Sequence, residues 1–273
     1  MSMQLVENKH KKDSLVKVKV VDNAVDQITH AEIKELALQH KILVVKNIEF
    51  SEAPFKRFID TFGHKVEHTA DRENVGYGYK DILHLDGNSD GKKVITGRGP
   101  LGLHTDGILL RVQVDFIFLY SELVDEVDNE GATTVCDSMA AWDNMPEPLK
   151  KIILNEKFEY QAIEKGYFST FPDGWNEIPI FRDYGRAKSL NIAMPADKNY
   201  PASWDVRING FDSDQNERFF KDLNDHFENP KYYYKHYWKN KELLIIDNQK
   251  TLHGREKISQ NTVRKLLRGQ ITL

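Results

Sequence analysis

Four short motifs in the sequence place an imidazole and a carboxylate two residues apart. His30-Ala31-Glu32 and His226-Phe227-Glu228 lie in amphipathic helical segments, where residues i and i+2 diverge, so two candidates are left. They are His104-Thr105-Asp106 and His84-Leu85-Asp86. On a β-strand, residues i and i+2 project from the same face, so either pair would present two metal ligands together. One further histidine would complete the two-histidine, one-carboxylate set that binds non-haem iron and leaves coordination positions open. In a chain of this composition about one His-x-Asp motif is expected by chance, so the spacing alone does not decide between the two.

Residues later in the chain favour the first motif. His253 follows an apolar run and a short turn, and two arginines come after it at Arg264 and Arg268. Residues four apart on a strand share a face. An arginine fork suits the distal carboxylate of a metal-bound 2-oxo acid, and the Thr133 hydroxyl can donate to the same group. The ordered set of His-x-Asp, histidine and arginine is much rarer than His-x-Asp alone.

Three other motifs have simpler interpretations. The segment from Gly97 to Gly102 matches GxGxxG, but Pro100 interrupts it and no helical periodicity follows, which indicates a turn rather than a dinucleotide site. The aromatic run from Tyr232 to Trp238 is typical of a strand, because the chain lacks the positive charge of a nucleic-acid platform. Cys136 lies among β-branched residues and is expected to be an inert buried thiol.

The elements that must position these residues can be predicted from periodicity. Thr29 and Glu32 have the spacing of a helix capping box, and Ser51 is expected to cap a second amphipathic helix. Further helices are predicted to begin near Pro146 and Asp212. Strands are predicted by alternating or continuous apolar runs; these are residues 41–46, 111–120, 132–136, 243–246 and 266–271. This pattern favours a mainly β fold with flanking α-helices, a β-sandwich or jelly roll.

Composition narrows the class of protein. The 273 residues carry a net charge of -4, which provides no electrostatic attraction to nucleic acid or to an anionic membrane. The single cysteine excludes an intramolecular disulfide, and the apolar runs are far shorter than the ~20 residues of a membrane span. We therefore expect a cytoplasmic protein with one domain over residues 1–273. Residues 1–25 are expected to be a loosely ordered N-terminal segment. Self-association into a homo-oligomer is left open.

The chain resembles the iron(II)- and 2-oxoglutarate-dependent oxygenases of the taurine dioxygenase and clavaminate synthase type. The His104 motif, His253 and the two arginines carry this resemblance. Within that group the chain is most similar to carbapenem synthase, through motifs that run in order along most of its length: residues 76–79, 96–99, 131–137, 172–175, 201–204, 232–236 and 268–270.

The resemblance implies a double-stranded β-helix (jelly-roll) core and assigns roles to particular residues. His104, Asp106 and His253 would bind iron(II). Thr133 and Arg264 would hold 2-oxoglutarate, and Arg268 would meet a substrate carboxylate, unless the two arginines exchange roles. Such enzymes use O2 to convert 2-oxoglutarate to succinate and remove a hydrogen from the substrate, and ascorbate serves as the reductant in vitro.

The candidate substrate-pocket residues are Tyr167 and Trp204, together with three positions at which carbapenem synthase carries tyrosine and this chain does not: His68, Phe168 and Ala193. A phenol can return a hydrogen atom to a substrate radical, whereas the ring of Phe168 cannot. We therefore expect the iron chemistry to act on a small carboxylate-bearing metabolite such as a carbapenam, in antibiotic or secondary-metabolite biosynthesis. Desaturation, epimerisation and hydroxylation all remain open.

Two alternatives accompany this expectation. The same oxygenase chemistry could hydroxylate or desaturate a free or derivatised amino acid. A protein of another class, a non-catalytic jelly-roll binding module, would have no need for the complete ligand set with a following arginine. A zinc hydrolase with the same three ligands would leave the arginine pair without a role.

Overall fold

The computed structural model describes residues 14–67, 81–87, 93–126 and 130–273. Strands predominate, and six helices lie between them in the described part of the chain. The strands are β1 (Val18–Asp22), β2 (Ile42–Lys46), β3 (His64–Lys65), β4 (Ile82–Leu85), β5 (Leu101–His104), β6 (Phe116–Val124), β7 (Thr133–Asp137), β8 (Phe158–Ala162), β9 (Asn176–Glu177), β10 (Phe181–Asp183), β11 (Lys188–Leu190), β12 (Trp204–Ile208), β13 (Tyr233–His236), β14 (Leu243–Asp247), β15 (Thr251–Arg255) and β16 (Arg264–Thr272). The helices are α1 (Asn23–Asp26), α2 (His30–Gln39), α3 (Glu52–Asp60), α4 (Ser138–Asp143), α5 (Glu147–Asn155) and α6 (Ser213–Phe227).

A seven-stranded sheet forms one layer of the fold. Its strands follow the order β1-β2-β14-β6-β16-β3, and β4 pairs with β16 as well. Only the β1–β2 pair is parallel; every other pair in this sheet is antiparallel. β1 lies within the first 25 residues and is held in register beside β2. A mainly antiparallel sheet of this kind is the expected layer of a jelly roll.

A four-stranded sheet in the order β13-β7-β15-β5 forms the opposing layer. Apolar side chains from both sheets pack into one buried cluster, with Ile117 and Leu244 from the large sheet and Val135 and Leu252 from the small one. Two smaller sheets, β12-β8-β9 and β10-β11, complete the strands. The mainly β jelly-roll fold with flanking helices is confirmed.

The large sheet is buried on both faces because its central strands alternate between two cores. In β6, Ile117 and Leu119 face the small sheet, while Phe116 and Phe118 face a second cluster with Phe58 of α3. Side chains in a strand point alternately to opposite faces, so two apolar sets are needed when both faces are covered. The helices α2 and α3 thus seal the outer face, and the inner face remains available to line a cavity.

Several local predictions can be compared with the structure. The capping box at α2 is confirmed: the Glu32 backbone N–H donates to Thr29 Oγ1 over 3.3 Å, and Glu32 Oε2 accepts from the Thr29 N–H over 2.8 Å. Ser51 occupies the N-cap position of α3, but its side chain makes no capping hydrogen bond. Pro146 and Asp212 precede α5 and α6 as predicted.

The predicted strand over residues 111–120 begins later than expected, at Phe116. Residues 111–115 form no ladder, and Arg111 has a positive φ of 55°. The carbonyl of Val114 instead accepts hydrogen bonds from the side-chain amides of Asn248 and Gln249, over 2.8 and 2.7 Å. These side-chain bonds replace the ladder partners that a strand would require.

In the part of the chain that the structure describes, no helix is both long enough and apolar enough to cross a membrane.

Candidate active site

Three candidate metal ligands meet at the edge where β5 and β15 pair. His253 of β15 lies directly opposite His104, the last residue of β5, and their ring centroids are 4.2 Å apart. Asp106 follows two residues after the strand. The ligand atoms of these three buried residues all lie within 4.8 Å of one another, and they are the only such cluster among the described residues.

Asp106 reaches this cluster by a route that the strand spacing did not predict. β5 ends at His104, so Asp106 lies in the following turn rather than on the strand. Its backbone is held by Asn248, whose Oδ1 accepts from the Asp106 N–H over 2.9 Å and whose Nδ2 donates to the Asp106 carbonyl over 3.2 Å. Asn248 belongs to the turn between β14 and β15. The segment carrying Asp106 is therefore tied to the hairpin carrying His253.

The two histidines are arranged to present lone pairs to a metal. His104 Nδ1 lies 2.8 Å from the Gly102 carbonyl, which can only accept, so Nδ1 carries the proton and Nε2 is free to ligate. Burial, followed by the nearby His104, lowers the pKa of His253 to about 3, which keeps that imidazole neutral at physiological pH. Together with one carboxylate, this donor set fits a non-haem iron(II) ion.

The carboxylate of Asp106 is fixed by partners on β16. Arg268 Nη2 donates to Asp106 Oδ2, and Gln270 Nε2 donates to the same oxygen over 2.5 Å. Burial acts to raise the pKa of Asp106, but the positive charge of Arg268 and the two histidines outweigh it and hold that pKa well below its usual value. Arg268 Nη1 also donates to the Tyr167 hydroxyl over 3.1 Å. The contribution of Gln270 was not predicted.

Arg264 makes a different set of contacts at the start of β16. Its Nη2 donates to Thr133 Oγ1 over 3.1 Å, and the indole Nε1 of Trp238 donates to the same oxygen over 3.0 Å. Arg264 Nε and Nη1 are buried and have no partner among the described residues. Burial, followed by the charge of Arg255, lowers the pKa of Arg264 to about 9. A buried guanidinium with unsatisfied donors favours binding of an anion.

A third arginine, Arg255, binds the backbone of residues 94–99. Its guanidinium donates to the carbonyls of Val94, Ile95 and Gly99 over 2.7 to 3.0 Å. On the other side of this segment, the Glu164 carboxylate accepts the Val94 and Ile95 N–H groups, each over 3.2 Å. Residues 94–99 are thus held between Arg255 and Glu164, which we call the loop clamp. The role of Arg255 was not predicted from the sequence.

The three candidate metal ligands and the three arginines line one cavity of about 730 Å³, counted out to its open mouth. Its polar lining comprises the three candidate metal ligands with Thr105, Thr133, Tyr167 and the three arginines. Much of the remaining wall is apolar: Leu85, Ile95, Leu101, Ile108, Leu109, Leu110, Leu119, Phe168 and Trp204. Both Arg264 and Arg268 reach it. The β-bulge between β6 and β16 lies on β6, so successive side chains of β16 still alternate between the two faces of the sheet.

The candidate pocket residues are placed as follows. Tyr167, Phe168 and Trp204 line the cavity. The ring of Phe168 meets Tyr167 edge-on at 4.9 Å and lies 6.4 Å from Trp204, between ring centroids. Ala193 is buried and forms an isolated bridge with His104. His68 lies outside the described residues.

The competing motif does not form a metal site in the described structure. His84 lies on β4, where its Nε2 is 3.2 Å from Glu52 Oε1. The GxGxxG segment opens no helix and leads into β5, as the interruption by Pro100 predicted. Cys136 is buried in β7, and burial raises its pKa well above the usual value, which agrees with an inert thiol.

Comparison with known proteins identifies the family. The model of the taurine catabolism dioxygenase TauD, TfdA family matches residues 13–270. The chain belongs to this family. The expected membership in the wider group of iron- and 2-oxoglutarate-dependent oxygenases is therefore confirmed.

Individual relatives of this TauD/TfdA protein share low sequence identity. Tyrosine isonitrile desaturase of Erwinia amylovora is 23% identical over 247 residues, which cover 88% of this chain and 80% of the relative. Alpha-ketoglutarate-dependent 2,4-dichlorophenoxyacetate dioxygenase of a Burkholderia species is 27% identical over 162 residues, 52% of this chain and 48% of that protein.

Solved structures support the fold of the TauD/TfdA chain. Two structures of PvcB, one identified as the Pseudomonas aeruginosa protein, match with TM-scores of 0.69 and 0.68 and identities of 19% and 20%. Each match covers 94% of this chain and 86% of the other. The second is described as an Fe, alpha-ketoglutarate dependent oxygenase from an isonitrile synthetic pathway. The TauD/TfdA protein is an iron- and 2-oxoglutarate-dependent dioxygenase.

Proposed function

We propose that this dioxygenase oxidises a C–H bond of a small carboxylate-bearing metabolite. His104, Asp106 and His253 bind iron(II), Thr133 and Arg264 hold the distal carboxylate of 2-oxoglutarate, and Arg268 faces the substrate. The observation that carries the proposal is that the ligand cluster lines the same cavity as the buried guanidinium of Arg264, two nitrogens of which have no partner among the described residues.

The chain's own residues provide orientation and exclusion of water. Iron(II) with 2-oxoglutarate and O2 supplies the oxidant for the C–H bond, while 2-oxoglutarate becomes succinate and CO2. Thr133 and Arg264 orient the co-substrate through its distal carboxylate, since charge-assisted hydrogen bonds to a carboxylate are strong and directional. The apolar wall, including Phe168 and Trp204, excludes water from the reacting carbon.

The contacts of the arginines support Arg264 over Arg268 as the partner of 2-oxoglutarate. The guanidinium of Arg268 already bonds Asp106 and Tyr167, and that of Arg255 is occupied by backbone carbonyls. Arg264 is the one of the three with two nitrogen donors left without a partner among the described residues. A dicarboxylate would satisfy these donors and the buried charge together.

A carbapenam-type bicyclic β-lactam is the first substrate candidate, on the strength of the sequence motifs shared with carbapenem synthase. The product would differ from that of a carbapenem synthase, because Phe168 brings no phenol to the cavity. Tyr167, the one phenol among the described residues of the lining, is hydrogen-bonded to Arg268 over 3.1 Å. Desaturation or hydroxylation, neither of which requires return of a hydrogen atom, is therefore favoured over epimerisation.

An amino-acid-derived carboxylate, including an isonitrile of an aromatic amino acid, is the second candidate. Tyrosine isonitrile desaturase aligns with 88% of this chain, and the apolar cavity wall suits an aromatic side chain. Desaturation beside the aromatic ring would be the reaction in this case. A non-catalytic binding module is the alternative of another class, and it would show neither succinate formation nor product.

The test is succinate formation from 2-oxoglutarate with iron(II), ascorbate and air, across carbapenams, aromatic amino acids and their isonitriles. Product masses are read in the same reactions. Gain of one oxygen indicates hydroxylation and loss of two hydrogens indicates desaturation or ring closure. Unchanged mass would call for stereochemical analysis. Slow succinate formation that no compound stimulates would remove the substrate candidates but keep the oxygenase; no succinate with iron bound would favour the binding module.

A further inference from the structure

The hydroxyl of Thr133 is held in a defined hydrogen-bonding state. Its oxygen accepts from Trp238 Nε1 over 3.0 Å and from Arg264 Nη2 over 3.1 Å. Both partners can only donate, and a hydroxyl oxygen has two lone pairs. Because both lone pairs are used, the hydroxyl can interact with a further group only as a hydrogen-bond donor. Thr133 lines the cavity, so this donor is available to a bound ligand.

Arg264 adds two more donors beside this hydroxyl. Its Nε and Nη1 are buried without a partner among the described residues, and its guanidinium carbon lies 5.9 Å from the centroid of the Trp238 ring. The cluster therefore presents only donors, and a carboxylate, which only accepts, fits it. A cation held over an indole face is also favourable where water is excluded.

Trp238 is placed for this contact by the small sheet. β13 pairs with β7 so that His236 lies opposite Thr133, and Trp238 follows two residues later. The imidazole of His236 meets the indole edge-on, with centroids 4.5 Å apart and an interplanar angle of 87°. Trp238 is buried but is not among the described residues that line the cavity. It can therefore act on a ligand only through Thr133 and Arg264.

We propose that Trp238 is a positioning residue for the co-substrate: its indole N–H fixes the Thr133 hydroxyl as a donor, and its ring supports the Arg264 guanidinium. This inference rests on the proposed role of Thr133 and Arg264 in binding 2-oxoglutarate. A phenylalanine at this position would keep an aromatic ring and lose the N–H. The Thr133 hydroxyl would then be free to turn away from the ligand.

The experiment measures 2-oxoglutarate binding to the Mn(II)-loaded protein by calorimetry. Trp238→Phe is expected to weaken binding about five- to tenfold, the usual effect of losing one neutral hydrogen bond. Mn(II) affinity and the melting temperature should stay close to wild type, which separates positioning from a general loss of structure. The matched control is Trp175→Phe, since Trp175 also stacks on an arginine, Arg207, at 4.3 Å but lies away from the cavity.

A double-mutant cycle with Thr133→Val decides whether Trp238 acts through the hydroxyl. In that background, Trp238→Phe should change the Kd by less than about twofold, because the group it orients is gone. Binding by Trp238→Phe within twofold of wild type, or equal effects in both backgrounds, would overturn the inference. If Trp238→Phe does not fold, benzothienylalanine inserted at position 238 keeps the bicyclic shape without the N–H and gives the same readout. Failure of the wild-type protein to bind 2-oxoglutarate would instead overturn the proposed function.

Discussion

The three buried arginines of the cavity differ in what their guanidinium groups contact. Arg255 is fully engaged by backbone carbonyls, and Arg268 is paired with the carboxylate of Asp106. Arg264 retains donors without partners among the described residues. Residue type alone does not distinguish them, because each role is set by the acceptors that the fold brings to it.

Replacement of Asp106 tests the metal site at the scale of one residue. Asp106→Ala removes the only carboxylate of the ligand cluster and should lower metal affinity by more than about 100-fold, beyond the effect of losing an outer partner. Iron-dependent succinate formation should disappear. Metal affinity is read from Mn(II) titration.

Because Asp106→Ala leaves the buried Arg268 guanidinium without its carboxylate partner, the variant is also expected to lose stability. Asp106→Asn, which retains acceptors for Arg268 and Gln270, gives a second measurement in a better-folded background. Asp205→Ala on the exposed face of β12 is the control. Retained turnover in a folded Asp106→Ala protein would contradict the ligand assignment.

Phe168→Tyr tests whether the absence of a phenol at position 168 determines which product forms. The new hydroxyl would lie in the cavity wall beside Tyr167 and Trp204, where it could return a hydrogen atom to a substrate radical. We expect a larger fraction of product that has regained a hydrogen, detected as deuterium incorporation from D2O together with changed stereochemistry. Phe211→Tyr, which adds a phenol away from the cavity lining, should leave the product unchanged. An identical product distribution in Phe168→Tyr would refute the donor argument.

At the scale of elements, the turn between β14 and β15 connects the two parts of the candidate metal site. Asn248 in this turn holds both backbone groups of Asp106, and β15 begins at Thr251, two residues before His253. The hairpin therefore fixes the separation of two ligands that are far apart in sequence. The Asn248 side-chain amide pairs the backbone N–H and C=O of Asp106, which a neighbouring strand would have paired had β5 continued.

Asn248→Ala should weaken metal binding without removing a ligand. Loss of the two bonds to Asp106 is expected to reduce Mn(II) affinity about 10- to 100-fold, the range typical of outer partners. Asn240→Ala is a closely matched control, because the Asn240 amide also accepts from and donates to one backbone residue, Val124, over 2.9 Å each. Both variants should lose stability, but only Asn248→Ala should lose metal affinity. Equal metal affinity in the two would show that Asn248 is purely structural.

Local sequence predicted the elements where one pattern dominates and missed features that depend on distant partners. The capping box of α2 is set by Thr29 and Glu32 alone, and it was predicted correctly. The apparent strand at 111–115 was not, because the Val114 carbonyl accepts from the side chains of Asn248 and Gln249, more than 130 residues later. The end of β5 before Asp106 has the same origin.

The whole molecule explains why the ligands could be predicted but their partners could not. His104, Asp106 and His253 can be selected by residue type, order along the chain and family resemblance, whereas Trp238 and Thr133 meet across 105 residues, and Gln270 and Asp106 across 164. Such contacts arise because the two sheets pack against each other, an arrangement that no local sequence pattern specifies. Residue chemistry therefore suggested the reaction class, and only the folded chain showed which arginine remains available.

Binding of metal and co-substrate should stabilise the entire chain. The residues proposed to contact them lie on or beside β5, β7, β15 and β16, which belong to both sheets. A ligand present at 100 times its Kd adds about 2.7 kcal/mol to the free energy of unfolding. For a chain of this size the melting temperature should rise by roughly 5–10 °C.

The measurement is thermal unfolding with Mn(II), with 2-oxoglutarate, and with both. The increase should be largest with both, and Asp106→Ala should abolish the part that depends on Mn(II). A melting temperature unaffected by saturating Mn(II) and 2-oxoglutarate would contradict a site shared between the sheets.

The loop clamp formed by Arg255 and Glu164 engages only backbone groups of residues 94–99. These backbone hydrogen bonds therefore depend little on which side chains the segment carries. The side chain of Ile95, in contrast, faces the cavity. Substitutions in residues 94–99, by evolution or by design, can therefore change the cavity wall and the molecules that bind in it. The candidate iron ligands, and with them the proposed oxidation chemistry, would remain unchanged.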